Sequence, residues 1–183
     1  CVLAPGEPAI LVEEAIAVLE SVGVRVDSTP GRTLLLDARA EAAGGRIRIP
    51  ERLVRDALVT APHEIHLFNR EGDPAAELAG DAVQFDPGSA AIHILDSATG
   101  KRREALTADV VALTRLVDGL PHYAVQSTAL LAADVPSEVG DRYRLYLALR
   151  HGKKPIVTGT FCADGFAPMQ AMLEAARGGA AAP

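Results

Sequence analysis

Two short runs of β-type residues, Tyr123-Ala124-Val125-Gln126-Ser127 and Ile156-Val157-Thr158-Gly159-Thr160, stand either side of an amphipathic stretch at 137–150, where Val139, Tyr143 and Leu147 share a helical face. This constrains the fold more than any other feature, because two strands joined by a crossover helix pair parallel and become buried on both faces. The pattern extends in both directions. Val110, Leu113, Val117 and Leu120 mark an earlier helix, with Thr107 placed to cap it and Asp109 in its first turn. Phe166, Met169, Leu173 and Ala176 mark the inward stripe of a last helix over 164–177. The expectation is an α/β fold with strands Tyr123 to Ser127 and Ile156 to Thr160 parallel and adjacent, in a sheet either open or closed as a barrel; periodicity does not choose between the two.

Ahead of residue 106 the pattern is different. Val12, Ile16, Leu19 and Gly23 predict a helix over 8–23, followed by turn residues at 27–31. Residues 34–43 read as a second helix, with Gly44-Gly45 as its left-handed stop. Arg46-Ile47-Arg48-Ile49 alternates as a short strand, and Pro50 then opens a helix that runs to Ala61. Residues 64–69, 82–85 and 92–95 are three further strand candidates, with a polar turn at 70–74. We divide the chain into a helical and β-rich segment, 1–105, and a βα part, 106–183.

Composition narrows the function classes. With 183 residues, 49% of them hydrophobic, the chain can bury a sizeable core. A formal net charge of −6 gives no field to attract phosphates, so nucleic acid and anionic membrane are not expected partners, and a cationic ligand fits better. Two cysteines, Cys1 and Cys162, are too few for a disulfide framework and point to a reducing cytoplasm. No apolar run reaches the roughly 18 residues of a membrane span. The chain begins on Cys and stops soon after a helix, so it is expected to be the front part of a longer protein.

Ligands of parallel α/β folds bind at the carboxyl ends of the strands, which singles out Gln126, Ser127 and Thr128 on one strand and Thr158, Gly159, Thr160 and Phe161 on the next. The alternative is that these hydroxyls only cap turns. A second candidate is the loop from Phe85 to Ala91, where Gly88 and Ser89 allow close backbone approach, Phe85 offers a π face and Asp86 a charge. The alternative there is a hairpin turn over a buried Phe. Aromatic residues make up only 4% of the chain and Trp is absent, so a complete aromatic cage must draw on other strands. His93, beside the loop, is a candidate substrate-facing residue, the alternative being a satisfied structural histidine. His63, His66, Asp86, His93 and Cys162 lack metal-ligand spacing, so no metal site is expected. Neither a G-x-S-x-G elbow nor a phosphate-binding glycine loop is present. Arg102-Arg103 reads as a solvated pair, or as a contact for an acidic partner or substrate carboxylate.

Several of these pieces also follow a known order. Phe85-Asp86-Pro87-Gly88-Ser89-Ala90-Ala91, then Leu95-Asp96-Ser97-Ala98-Thr99-Gly100, Lys101-Arg102-Arg103 and Thr107-Ala108-Asp109, resemble the trimethylamine methyltransferase family. The opening helix at 13–24, the strand-to-helix step at 46–54, Leu116-Val117-Asp118-Gly119-Leu120-Pro121 and Lys153-Lys154-Pro155-Ile156-Val157 fit the same pattern, so the resemblance covers nearly the whole chain. It implies the opening βα units of a TIM-type barrel. It also implies transfer of a methyl group from a tertiary or quaternary amine, of the trimethylamine or glycine betaine type, to a corrinoid carried on a partner protein. The corrinoid would belong to that partner and not to this segment, and a pyrrolysine, where one occurs, would fall beyond Pro183. The residues above then become candidate substrate-binding residues, and the catalytic ones stay unassigned. A non-catalytic binding or structural module remains the alternative, and a homo-oligomer is left open.

Overall fold

The structure, a computed structural model, describes residues 3–179. Cys1 and residues 180–183, which bore on the expectation of a longer protein, lie outside the described residues. The chain packs as two units, Cys1–Pro62 and His63–Pro183.

In the first unit, helix α1 (Glu7–Ser21) starts after Gly6 with a proline in its first turn, and ends ahead of Gly23. Gly23 has φ +73, and a Cβ there would sit 2.4 Å from the Ile47 carbonyl oxygen, so only glycine lets the chain pass this close. The closeness comes from reciprocal backbone bonds between Val24 and Ile47, at 2.9 and 2.8 Å. Ile47 and Ile16 are buried at the centre of the unit. Helix α2 (Thr29–Asp37) begins and ends earlier than the predicted 34–43. Ser28 accepts a hydrogen bond from the Gly31 N–H and Pro30 suits the first turn, so the expected turn residues are the helix start. Strands β1 (Glu41–Ala43) and β2 (Arg46–Arg48) pair antiparallel, with Ala42 opposite Ile47. Gly44 and Gly45, at φ 56 and 79, are the two central residues of that hairpin turn rather than a helix stop. Helix α3 (Glu51–Thr60) follows Pro50 as expected, and Arg55 ties it to α1 by pairing with Glu51 and Glu13, each at 2.6 Å.

The second unit opens with two antiparallel hairpins, β3 (Glu64–Phe68) with β4 (Pro74–Ala79) and β5 (His93–Leu95) with β6 (Arg102–Glu104). The sequence gives no sign of β4 or β6, because an Ala-rich run and an Arg-Arg-Glu run lack alternating apolar residues. Residues 82–85, expected as a strand, form none: their pairing edge is not taken up by any neighbour, and the chain bends instead into the Pro-Gly loop.

After β6 come α4 (Thr107–Gly119), β7 (Gln126–Ser127), α5 (Gly140–His151), β8 (Ile156–Val157) and α6 (Phe166–Ala176). As expected, β7 and β8 are parallel and adjacent, with Gln126 beside Ile156 and Ser127 beside Val157, though each regular strand is two residues long. Ala105, Val110, Leu130 and Leu147 form a buried apolar cluster in this unit. Thr107 is the first helical residue and not the cap: its N–H and hydroxyl both donate to Asp134, at 2.9 and 3.0 Å, while Asp109 accepts the Leu106 N–H. On α6 only Met169 of the predicted stripe is fully buried, and Phe166 is 65% exposed. The described residues thus make a mixed α/β arrangement of helices and small two-stranded sheets, without a closed barrel. No helix among them is long and apolar enough to cross a membrane.

Candidate functional site

The segment between β5 and α4 is held by one arginine. Asp96 accepts from the Ala98 and Thr99 N–H groups and the Thr99 hydroxyl, at 3.0 to 3.1 Å, which closes the turn ending in Gly100. Its other oxygen takes Arg103 Nε at 2.9 Å, and Arg103 reaches Asp109 through both Nη atoms, at 2.7 and 2.9 Å. The guanidinium, helped by the Thr99 bonds, brings the Asp96 carboxyl down to about 2 and lowers that of Asp109 as well. Arg103 is therefore an internal tie from hairpin to helix rather than a solvated pair member. Arg102 lies 3.4 to 3.5 Å from both ring nitrogens of His93, so that His is already engaged on its own hairpin.

The Pro-Gly loop is stitched to the carboxyl end of β7. Asp86 accepts the Gly88 N–H at 2.7 Å, Gly88 sits at φ +89, and Ala90 holds a left-handed φ of 57. The Ser127 hydroxyl donates to the Gly88 carbonyl. Beyond it Ala90 N–H donates to Thr128 O at 3.2 Å and Ala91 N–H to Ala129 O at 2.8 Å, and Ala91 bridges Leu130 in parallel. The loop thus runs alongside the strand end where ligands of such folds bind. Phe85 is 62% exposed, so it is not the buried ring of an ordinary turn, and Ser89 is exposed too.

At the ends of β7 and β8 the Thr128 and Thr158 hydroxyls lie 2.8 Å apart, leaving one hydroxyl hydrogen of the pair for a further acceptor. Gln126 is different. Only 1% exposed, its amide donates to the Thr114 carbonyl of α4, so the side chain joins strand to helix rather than facing a ligand. Thr160 donates within its own surroundings, to Asp141 at 2.8 Å or to the Cys162 carbonyl at 2.6 Å. Asp141, 1% exposed, also accepts the Phe161 and Arg142 N–H groups at 3.0 and 2.7 Å. Burial opposes its ionisation, but these donors hold the carboxyl below the ordinary range. Gly165 closes the knot: a Cβ there would lie 2.2 Å from the Thr160 hydroxyl.

Arg144 completes the arrangement. One Nη donates to Thr128 O and the other to Gly159 O, both at 3.0 Å, and the guanidinium lies 4.6 Å from the centre of the Phe161 ring. One face of that ring is thus taken by an internal cation. Thr158, Gly159 and Thr160 also line an open groove of about 400 Å³ between β8 and α6, whose walls include Val157, Phe166 and Met169. The groove takes in none of Phe85 to Ser89, nor Gln126 or Ser127. No group of three or more His, Cys, Asp or Glu capable of holding a metal occurs among the described residues.

Sequence reasoning missed Asp141 and Arg144. Both lie in the first turns of the helix that follows β7 and precedes β8, and a helix start in a βα unit lies near strand ends. That placement was the available signal. The family model for trimethylamine methyltransferase matches residues 2–182. The chain is 24% identical over 166 residues to a trimethylamine methyltransferase, MttB, of Desulfitobacterium hafniense, a match covering 90% of this chain. The chain spans about a third of that relative's length, 34%.

Proposed function

Because this chain belongs to the trimethylamine methyltransferase family, we propose that it supplies the first βα units, from about residue 106, of a TIM-type barrel that binds a methylated amine. The reaction is transfer of one methyl group to a corrinoid carried by a partner protein, with trimethylamine, glycine betaine or a similar tertiary or quaternary amine as donor. Beyond family membership, the observation that carries this reading is the parallel β7/β8 pair, with hydroxyls, an aromatic ring and the stitched Pro-Gly loop gathered at its carboxyl end. Family membership also favours the enzyme over a non-catalytic module.

The bound corrinoid supplies the nucleophilic cobalt; this chain's residues have the work of placing and desolvating the amine. Phe85 and the loop offer a ring and a carboxylate to a cation that donates few hydrogen bonds. Thr158 offers a hydroxyl beside the groove. The 183-residue segment supplies only part of the wall, so the segment alone is expected to be inactive. Cytoplasm, where a reduced corrinoid partner can persist, is the matching location.

The test is spectroscopic detection of methyl–cobalt formation by the full-length protein with a reduced corrinoid protein and each amine in turn. Demethylation of at least one amine is expected, and failure with every amine, given folded protein and a competent acceptor, rejects the reading. Phe85→Ala should weaken amine binding by roughly 0.5 to 2 kcal/mol if the ring faces the cation.

A further inference from the structure

We propose that Arg144 is the positioning residue of the strand-end face, an inference that rests on the reading of this face as the amine site. The side chain rises from α5 to the carboxyl ends of both strands and is only 3% exposed. Its two Nη atoms hold the carbonyls of Thr128 and Gly159, each just beyond the carboxyl end of one strand. Those carbonyls neighbour the Thr128–Thr158 hydroxyl pair on one side and Phe161 on the other. Fixing them fixes where the Thr158 hydroxyl and the Phe161 ring can lie.

Energetics separate this role from ordinary bracing. A buried guanidinium is stabilised chiefly by a carboxylate partner, and among the described residues Arg144 has none within ion-pair distance; Asp141 acts on it only at longer range. Its Nε is buried without a hydrogen-bond partner. A neutral side chain could fill the same space at lower cost. What a neutral side chain lacks is the rigid planar fork that reaches two carbonyls at once while stacking on a ring. Lysine lacks it as well, although it keeps the charge. The guanidinium also occupies one face of the ring, so Phe161, 53% exposed, can meet a ligand only with the rest of its surface.

The experiment compares Arg144→Lys with the unaltered full-length protein by hydrogen–deuterium exchange and by methyl-transfer kinetics. Amides of residues 158–162 are expected to exchange about tenfold faster or more in the variant while those of α4 stay unchanged, and kcat to fall about tenfold or more with KM within about threefold, as misplacement of reacting groups predicts. Unchanged exchange at 158–162 overturns the proposal. So does faster exchange with kcat and KM both unaffected, which leaves Arg144 as packing only. If Arg144→Lys does not fold, Arg144→Gln, which keeps a polar tip but not the fork that reaches the Thr128 and Gly159 carbonyls together, must give the same local exchange and kcat signature, and its absence overturns the proposal equally. Absence of methyl transfer by the unaltered protein strikes down the functional reading instead, while the exchange comparison still decides whether Arg144 fixes the strand ends.

Discussion

The corner around Arg103 and the strand ends around Arg144 each centre on one arginine, and their surroundings differ in the property that matters. Arg103 is partly exposed and meets two carboxylates, Asp96 at 2.9 Å and Asp109 at 2.7 Å. One guanidinium there is shared by two carboxylates, and the partly exposed charges are screened by water, so the corner is a modest stabiliser of local shape. Arg144 is buried against carbonyls and a ring, while Asp141, the carboxylate that acts on it at longer range, is taken up by backbone and hydroxyl donors and by Arg142 at 3.7 Å. The Leu95 to Asp109 part of the motif that carries the family resemblance is thus a structural joint, whereas Asp141 and Arg144, buried at the strand ends, belong to no conspicuous motif. A memorable run of residues can mark a joint in the fold rather than its chemistry.

The largest effect expected from this contrast is at Asp141. Asp141→Leu leaves the Phe161 and Arg142 N–H groups without their acceptor in a buried place, and should cost about 3 kcal/mol in denaturant unfolding. A loss under about 0.5 kcal/mol would mean that the strand-end knot is looser than its geometry indicates.

A smaller effect belongs to the corner and depends on pH. The folded carboxyl of Asp96 lies at about 2 against 3.8 for the ordinary group, and that of Asp109 is lowered too, so both stabilise the fold above about pH 4 and lose that contribution as pH falls, Asp96 doing so toward about 2. Arg103→Gln should flatten this acid limb and weaken the salt dependence of stability, while leaving amine affinity within about twofold. Acid titration of unfolding for the two proteins checks it; parallel limbs would show that Arg103 does not set these carboxyls.

Legibility from sequence followed the same divide. The helices, α2 excepted, and the parallel β7/β8 pairing could be read because apolar spacing and crossover length are local facts. Gly44-Gly45 misled because left-handed glycines end helices and turn hairpins alike, and the difference lies in what Ala42 pairs with across the turn. Strand β6 was hidden by its charges, whose partners Asp96 and Asp109 flank it in sequence but become neighbours only once the hairpin folds. At the candidate site, Ser127, Thr158 and Thr160 could be nominated from strand-end logic, and Phe85 and Gly88 from the turn chemistry of the Pro-Gly loop. Gln126 could be nominated but not assigned, since its turn toward the Thr114 carbonyl depends on where α4 packs. Arg144 carries no local signal, because burial without a carboxylate is decided by two strands that no short window contains.

The most direct test measures amine affinity by titration calorimetry for the full-length protein carrying Thr158→Val or Arg103→Gln, using the amine that the methyl-transfer assay identifies. Loss of a hydroxyl from the ligand face should weaken binding about fivefold or more, on the order of 1 kcal/mol, while the corner variant should bind within about twofold of the unaltered protein. Equal affinity for Thr158→Val and the unaltered protein, with weakened binding for Arg103→Gln, would place the ligand at the hairpin corner and contradict the account.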